Sequence, residues 1–127
     1  MRQDFVRSIH QQPTIEEDWG SLTWLAGRAH LAGSEQTFGL VRIKSGRRNP
    51  LHSHPNCEEI LYVVSGACDH RLGEEIHRLD AGEMICIPRG VRHWARALGD
   101  EPLVAVISFS SPDRGFVSHE DECQDPP

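Results

Sequence analysis

Apolar residues in this chain come in short runs that are separated by Gly, Ser, Pro and Asp. Runs of this kind, rich in β-branched and aromatic residues and bounded by turn formers, are typical of β-strands. No amphipathic helical pattern persists for three turns. We therefore predict strands over residues 19–25, 37–44, 58–64, 67–72, 76–79, 84–87, 92–97 and 103–109. So many short strands favour closure into a barrel or jelly roll, which removes exposed sheet edges.

The run 103–109 is apolar almost without interruption, and a run without alternation suits a strand that is buried on both faces. The two ends of the chain have a different character. Residues 1–18 are polar without a sustained period, and the sequence turns polar again from residue 110. We expect the segments 1–18 and 110–127 to be partly irregular. Since there is no internal repeat and no linker, we predict one domain over residues 1–127.

Composition narrows the classes of function. A chain of 127 residues buries a core without a metal to hold it together, so a metal site would be functional. Its net charge of −6 disfavours a nucleic-acid partner. No apolar run resembles a signal peptide or a membrane span. None of the four cysteines forms a C-x-x-C pair, so we expect a cytoplasmic protein with reduced thiols at Cys57, Cys68, Cys86 and Cys123.

Three histidines and a glutamate are the candidate chemical groups. His52 and His54 are one residue apart, so on a strand both imidazoles face the same side. Glu59 follows beyond Pro55-Asn56, and His93 follows Gly90 at the start of a later strand. Nitrogen and oxygen ligands of this kind suit one divalent ion of Fe, Mn, Ni, Co or Zn and are too hard for Cu(I). Four protein ligands leave up to two positions of an octahedron for water, oxygen or substrate. The alternative is that these residues are exposed polar groups on turns.

The spacing of these residues resembles the two motifs of the cupin superfamily. The first is Gly46-x5-His52-x-His54-x4-Glu59-x6-Gly66, and the second is Gly82-x5-Pro88-x-Gly90-x2-His93, with fifteen residues between them. The resemblance covers a motif core of residues 46–97. It implies a double-stranded β-helix (jelly-roll) barrel, often dimeric, with a metal ion held by His52, His54, Glu59 and His93. The second motif usually ends in Asn, which is Ala97 here; this residue is not a ligand, but its loss weakens the transfer of any particular activity.

Glu58 is the rival of Glu59 as the carboxylate ligand. Glu59 shares strand parity with Leu61 and Val63, and the spacing to Gly66 favours it. The opposite face of the strand then carries the apolar side chains of Ile60, Tyr62 and Val64. A second sheet in a homodimer would cover that face.

The other candidate residues have simpler interpretations. We expect His10, His30 and His119 to be solvated, and His70 and His77 to lie on the inter-motif hairpin away from the pocket. Cys57 and Cys86 are interpreted as packed thiols, and Trp94 as a core or interface residue. One of the pairs Met84/Cys86 and Ile85/Ile87 lines the barrel interior. Arg47 and Arg48 are interpreted as an exposed turn pair; the alternative is that one of them orients an anionic substrate.

The resemblance implies a metal-dependent enzyme that acts on a small oxygenated organic molecule, with activity of the dioxygenase or isomerase type. The alternative is a cupin that binds a small ligand or a metal as a sensor or carrier, without turnover. A metal-free barrel like that of sugar epimerases would not need four intact ligands. No separate catalytic residue is indicated, and fold analogy does not decide between these reactions.

Overall fold

The computed structural model describes residues 5–122, which form two antiparallel β-sheets. One sheet has the strand order β1-β2-β3-β10-β5-β8 and the other β11-β4-β9-β6-β7. Short 3₁₀ turns cover Ile9–Gln11 and Glu120–Glu122. The strands are β1 (Thr14–Glu17), β2 (Gly20–Ala26), β3 (Thr37–Ile43), β4 (His52–Ser53), β5 (Glu59–Ser65), β6 (Ala67–Leu72), β7 (Glu75–Asp80), β8 (Met84–Ile87), β9 (His93–Leu98), β10 (Leu103–Phe109) and β11 (Val117–Ser118). The prediction of an all-β jelly-roll barrel is confirmed.

The core lies between the sheets and follows the alternation of side chains along each strand. Strands β3 and β5 show it most clearly, because every second residue of each points inward. Val41, Ile43, Leu61 and Val63 are all at most 4% exposed. Each such aliphatic side chain contributes about 1.5–3 kcal/mol to folding through its burial.

The prediction that β10 is buried on both faces was wrong. Leu103, Ala105, Ile107 and Phe109 are buried, whereas the residues between them are only half-buried. β10 lies between β3 and β5 in a sheet that packs its core through one face. The sequence of β10 is almost continuously apolar because most side chains on its outer face are apolar, in addition to those on its inner face.

Two short strands lie in the segments that were expected to be partly irregular. β1 pairs with β2, with Thr14 opposite Thr23. All four residues of β1 are exposed, so its side chains show no apolar alternation. Near the other end, β11 pairs with β4, which places Ser118 opposite His52. Residues 1–4 and 123–127, which include Cys123, lie outside the described residues.

The glycine that ends the first motif is required by a close approach of two chain segments. Gly66 has a φ of +80°, in the left-handed region. A Cβ atom at this position would lie 2.6 Å from the carbonyl oxygen of Pro102. Only glycine fits this turn between β5 and β6.

Among residues 5–122, neither 3₁₀ turn has the length or the apolar character of a segment that crosses a bilayer. The cytoplasmic location expected from the sequence stays a prediction.

Candidate metal centre

The structure brings the four candidate ligands together inside the barrel. β4 and β9 pair so that His52 lies opposite His93. Glu59 begins β5 in the facing sheet, and His54 follows β4 directly. All four side chains are buried, and each offers a ligand atom within 4.8 Å of the others. The alternative of exposed polar turn residues does not describe this arrangement.

Strand parity decides which glutamate faces the cluster. Glu59 is 5% exposed, and its Oε1 lies 3.0 Å from Nε2 of His93 and 3.2 Å from Nε2 of His54. Glu58 is exposed on the opposite face. This is the orientation that the spacing of the first motif favoured.

The backbone orients all three imidazoles. Nδ1 of His52 lies 2.6 Å from the carbonyl oxygen of Pro50. Nδ1 of His54 lies 2.7 Å from that of Gly115, and Nδ1 of His93 lies 2.8 Å from that of Val91. A carbonyl oxygen only accepts, so each Nδ1–H donates, which leaves Nε2 as the ring atom that can bind a metal. Fixing the ring and tautomer in this way is a common feature of metal-ligating histidines.

The ionisation of the cluster favours a cation at its centre. Burial alone raises the pKa of Glu59, but His54 and His93 outweigh it and hold this pKa below its usual range. Burial and the neighbouring His93 lower the pKa of His52 to about 3. An ionised carboxylate thus faces buried imidazole nitrogens, and Nε2 of His54 has no hydrogen-bond partner. A cation between these groups would stabilise the buried carboxylate and the unpaired ring nitrogen.

The distances also fit a transition-metal ion. Metal–ligand bonds of about 2.1 Å at right angles place neighbouring ligand atoms about 3.0 Å apart. The two contacts of the Glu59 carboxylate measure 3.0 and 3.2 Å. The buried His and Glu side chains therefore fit the divalent ions that the sequence indicated.

Sequence reasoning missed the contribution of the C-terminal segment. Besides the Gly115 carbonyl, this segment supplies Phe116, whose ring stacks on His52 with 5.0 Å between centroids. Asn56 fixes the segment, because its Oδ1 accepts a hydrogen bond from the Gly115 amide. In the sequence, the only indication of the role of Phe116 was an aromatic residue in a polar stretch. The role of the Gly115 carbonyl could not be predicted, because every residue has a backbone carbonyl.

His119 is a correction to the sequence analysis. It was expected to be solvated, but its side chain is only 14% exposed. Its Nε2 lies 2.8 Å from Oγ of Ser53, between the two histidines of the first motif. Its Nδ1 lies 3.2 Å from Glu122, which also pairs with Arg92. These contacts hold the C-terminal segment across β4 and the start of β9.

His70 and His77 lie opposite each other on the β6–β7 hairpin and outside the cavity lining, as expected, but His70 is buried whereas His77 is exposed. His70 is 1% exposed, and its ring lies parallel to that of His93 with 5.8 Å between centroids. It stands behind a ligand and does not line the cavity. Burial and the nearby His93 lower the pKa of His70 to about 4.

Acid is expected to destabilise the metal-free protein partly through His70. Its pKa is about 4 in the fold against an ordinary value of 6.5, so the unfolded chain binds the extra proton first. The contribution of the neutral ring is present above pH 6.5 and is lost as the pH falls toward 4. At about 1.4 kcal/mol per pH unit, this loss is on the order of 3 kcal/mol.

Urea unfolding of metal-free wild type and His70→Met between pH 7 and 4 measures this effect. The wild-type free energy of unfolding should fall more steeply with acid than that of the variant. The exposed His77→Met is the matched control and should follow the wild type. Equal slopes for wild type and His70→Met would contradict the assignment.

A cavity of about 440 Å³ opens onto the cluster. His52, His54 and Glu59 form part of its wall, and most of the remainder is apolar. The other polar lining residues are Glu17, Asn49 and Arg114. The apolar lining consists of Ile15, Trp19, Leu22, Trp24, Val41, Pro50, Leu61, Ile107, Phe109 and Phe116. Pockets of this size and character bind small organic molecules.

The arginine beside this cavity is not one that the sequence analysis considered. Arg114 lies over the ring of Trp24, with 4.6 Å from Cζ to the centroid, and burial lowers its pKa. Of the motif doublet, Arg47 is exposed as expected. Arg48 is instead half-buried; it pairs with Glu120 at 2.7 Å and lies over Trp94, which is buried as predicted.

Comparison with known proteins identifies relatives of the chain. The profile of the Cupin_2 family, described as the cupin domain, matches residues 39–109. Protein SchB of Streptomyces halstedii is 35% identical over 95 residues, which are 71% of this chain and 69% of that protein. Polyketide synthase CurC of Streptomyces cyaneus is 32% identical over 105 residues, covering 80% of this chain and 68% of CurC.

Among solved structures, oxalate decarboxylase of Bacillus subtilis at pH 4.6 is similar with a TM-score of 0.80 and 26% identity. The match covers 87% of this chain but only 30% of the decarboxylase, so this chain spans less than a third of that protein. Mn(II) centres are described for the same decarboxylase. The fold is shared over the matched part of the two chains.

Proposed function

The chain belongs to the Cupin_2 family of cupin domains, and from this membership we propose that it is a metal-dependent enzyme acting on a small oxygenated organic molecule. The observation that carries the proposal is the position of the ligand cluster. Three imidazole nitrogens and a carboxylate are buried together. His52, His54 and Glu59 of this cluster form part of the wall of a largely apolar cavity. A site intended only to stabilise the fold would not need such a cavity beside it.

The four ligands would hold one divalent ion, with Fe, Mn, Ni, Co and Zn as the candidates. Such an ion polarises substrate oxygen atoms and, as Fe(II), supports oxygenase chemistry. The protein contributes the orientation of the ligands through the three backbone carbonyls. The apolar walls exclude water and bind the carbon skeleton of the substrate. We favour an activity of the dioxygenase or isomerase type.

Turnover with defined metals tests the proposal. Protein loaded separately with each of the five metals is mixed with catechols, diketones and small thiols, while oxygen uptake and substrate loss are followed. Oxygen uptake that disappears in His54→Ala would identify a dioxygenase, and conversion without oxygen uptake would identify an isomerase or lyase. Stoichiometric metal and tight ligand binding without turnover over the whole panel would contradict the enzyme and favour a sensor or carrier.

We further infer that the protein is a homodimer, because the outer face of the larger sheet is apolar. Ile60, Tyr62 and Val64 point outward from β5 and are 38–49% exposed. Met84 of β8 lies opposite Tyr62 and is also exposed. Cys86 also lies on this outer face and is exposed, so its interpretation as a packed thiol was wrong. Cys57, in contrast, is buried as predicted. Of the two residue pairs of β8, Ile85 and Ile87 are the one that points inward. A second copy would present the same apolar side chains across a two-fold axis.

A charge in the centre of this face is expected to separate the subunits. Tyr62→Glu should shift the protein from dimer to monomer at micromolar concentration, measured by light scattering after size exclusion. Ile76→Glu is the matched control, since Ile76 is 52% exposed on β7 of the other sheet. The control should remain dimeric. A wild type that is monomeric at the same concentration would contradict the homodimer.

A further inference from the structure

We propose that Arg114 binds a carboxylate of the substrate, so that the cavity selects apolar, ring-bearing carboxylic acids. This inference rests on the proposed function, since it names the class of molecule that the same cavity takes. It concerns a residue outside both sequence motifs, which end at residue 97.

Arg114 is a half-buried cation in the wall of the cavity. Within residues 5–122, its guanidinium makes no hydrogen bond and no ion pair. Arg92, by contrast, forms an ion pair with Glu122 at 2.8 Å on the exposed surface. Placing a charge in an apolar cavity without a partner is costly, and the cost is relieved when an anion binds. An unpaired guanidinium at this position is therefore best explained as a group that binds an anionic ligand.

Aromatic rings hold the guanidinium in place and leave its donors available. Its Cζ lies 4.6 Å from the ring centroid of Trp24, 5.4 Å from that of Phe109 and 5.6 Å from that of Phe116. Contacts of this type act on the faces of the planar group, whereas its five N–H bonds lie in the plane. An arginine held in this way can bind a carboxylate through two parallel hydrogen bonds.

The remaining charges of the cavity are compatible with an anionic ligand. Glu59 belongs to the metal cluster, and a divalent ion there reverses its negative charge. Glu17 is the other carboxylate in the lining; it is exposed on β1 and forms no ion pair with Arg114. The nearby rings of Trp19 and Trp24, together with Phe109 and Phe116, suit a flat hydrocarbon skeleton.

Binding of 2-naphthoate and its neutral analogue 2-naphthamide tests the inference. Both are titrated against the full chain, metal-free and loaded with Mn(II), with tryptophan fluorescence and calorimetry as readouts. Wild type should bind the acid about 10- to 100-fold more tightly than the amide, as expected for hydrogen bonds to a charged group. This preference should be present in both metal states and smaller without metal, because the charge of Glu59 is then not offset.

Arg114→Met should reduce the ratio to about one without changing metal content, and Arg114→Lys should keep part of it. Arg78→Met is the matched control, because Arg78 is exposed on β7. A ratio near one in wild type, or a ratio retained in Arg114→Met, would overturn the inference. The outcome for the proposed function can be told apart from this one. A carboxylate preference in a protein without turnover would support carboxylate binding by Arg114 and contradict the proposal that the protein is an enzyme.

Discussion

Glu59→Gln is expected to lower the affinity for divalent metal at least about 100-fold, whereas Glu58→Gln leaves it unchanged. Residues that only orient ligands contribute about 10- to 100-fold to metal affinity, so loss of a ligand should exceed that range. The amide keeps the shape of the side chain but removes the negative charge that faces His54 and His93. The two glutamates are adjacent in sequence and differ in the face of β5 that they occupy.

Competition with a fluorescent chelator measures both affinities under the same conditions. Circular dichroism of the two variants controls for folding, since Glu59 is buried and Glu58 is not. Equal metal affinity of Glu59→Gln and wild type would show that the carboxylate is not a ligand. A loss confined to Glu58→Gln would reverse the assignment of strand parity.

Removal of the metal is expected to have the second large effect, a marked fall in melting temperature. Without a cation, the buried Glu59 carboxylate has only two imidazole nitrogens, at 3.0 and 3.2 Å, to compensate its charge. A ligand at 1,000 times its dissociation constant stabilises the fold by about 4 kcal/mol. For a domain of this size, that corresponds to a decrease in Tm of about 10–20 °C on chelation.

Differential scanning calorimetry with and without chelator measures the shift. His54→Ala serves as the control, because it should bind little metal and its Tm should be nearly independent of chelator. A wild-type Tm that does not respond to added metal or to chelation would contradict the assignment. So would an equal response in His54→Ala.

Much of the barrel could be predicted because its strands alternate around a single core. All eight predicted ranges coincide with an observed strand to within one residue at each end. The candidate ligands could be located because a His-x-His pair and a motif of fixed spacing are visible in the linear sequence. The spacing to Gly66 even oriented Glu59, since one residue of register changes the face of a strand.

The residues that surround the ligands could not be predicted in the same way. The contact between His54 and Gly115 joins positions that are 61 residues apart and uses a backbone atom, which any residue provides. Burial of His70 depends on the pairing of β6 with β9, which places its ring against His93. Neither the contact between His54 and Gly115 nor the pairing of β6 with β9 can be recognised from the residues next to it in the sequence.

The arginine that lines the cavity could not be predicted from the sequence either. The doublet Arg47-Arg48 attracted attention because it precedes the first histidine of the motif. The arginine that lines the cavity is Arg114, which lies in a polar segment after the last long strand. Its position depends on how that segment folds back over the barrel, and charge density along the chain carries no information on this.

X-ray absorption spectroscopy of the purified protein, combined with elemental analysis, tests the central claim most directly. The account predicts one divalent transition-metal ion per chain, surrounded only by nitrogen and oxygen, with the scattering pattern of three imidazole rings. Failure to bind any of the five candidate metals would contradict it. A sulfur ligand in the absorption spectrum would do so equally, because it would place the ion at a cysteine instead of at His52, His54, Glu59 and His93.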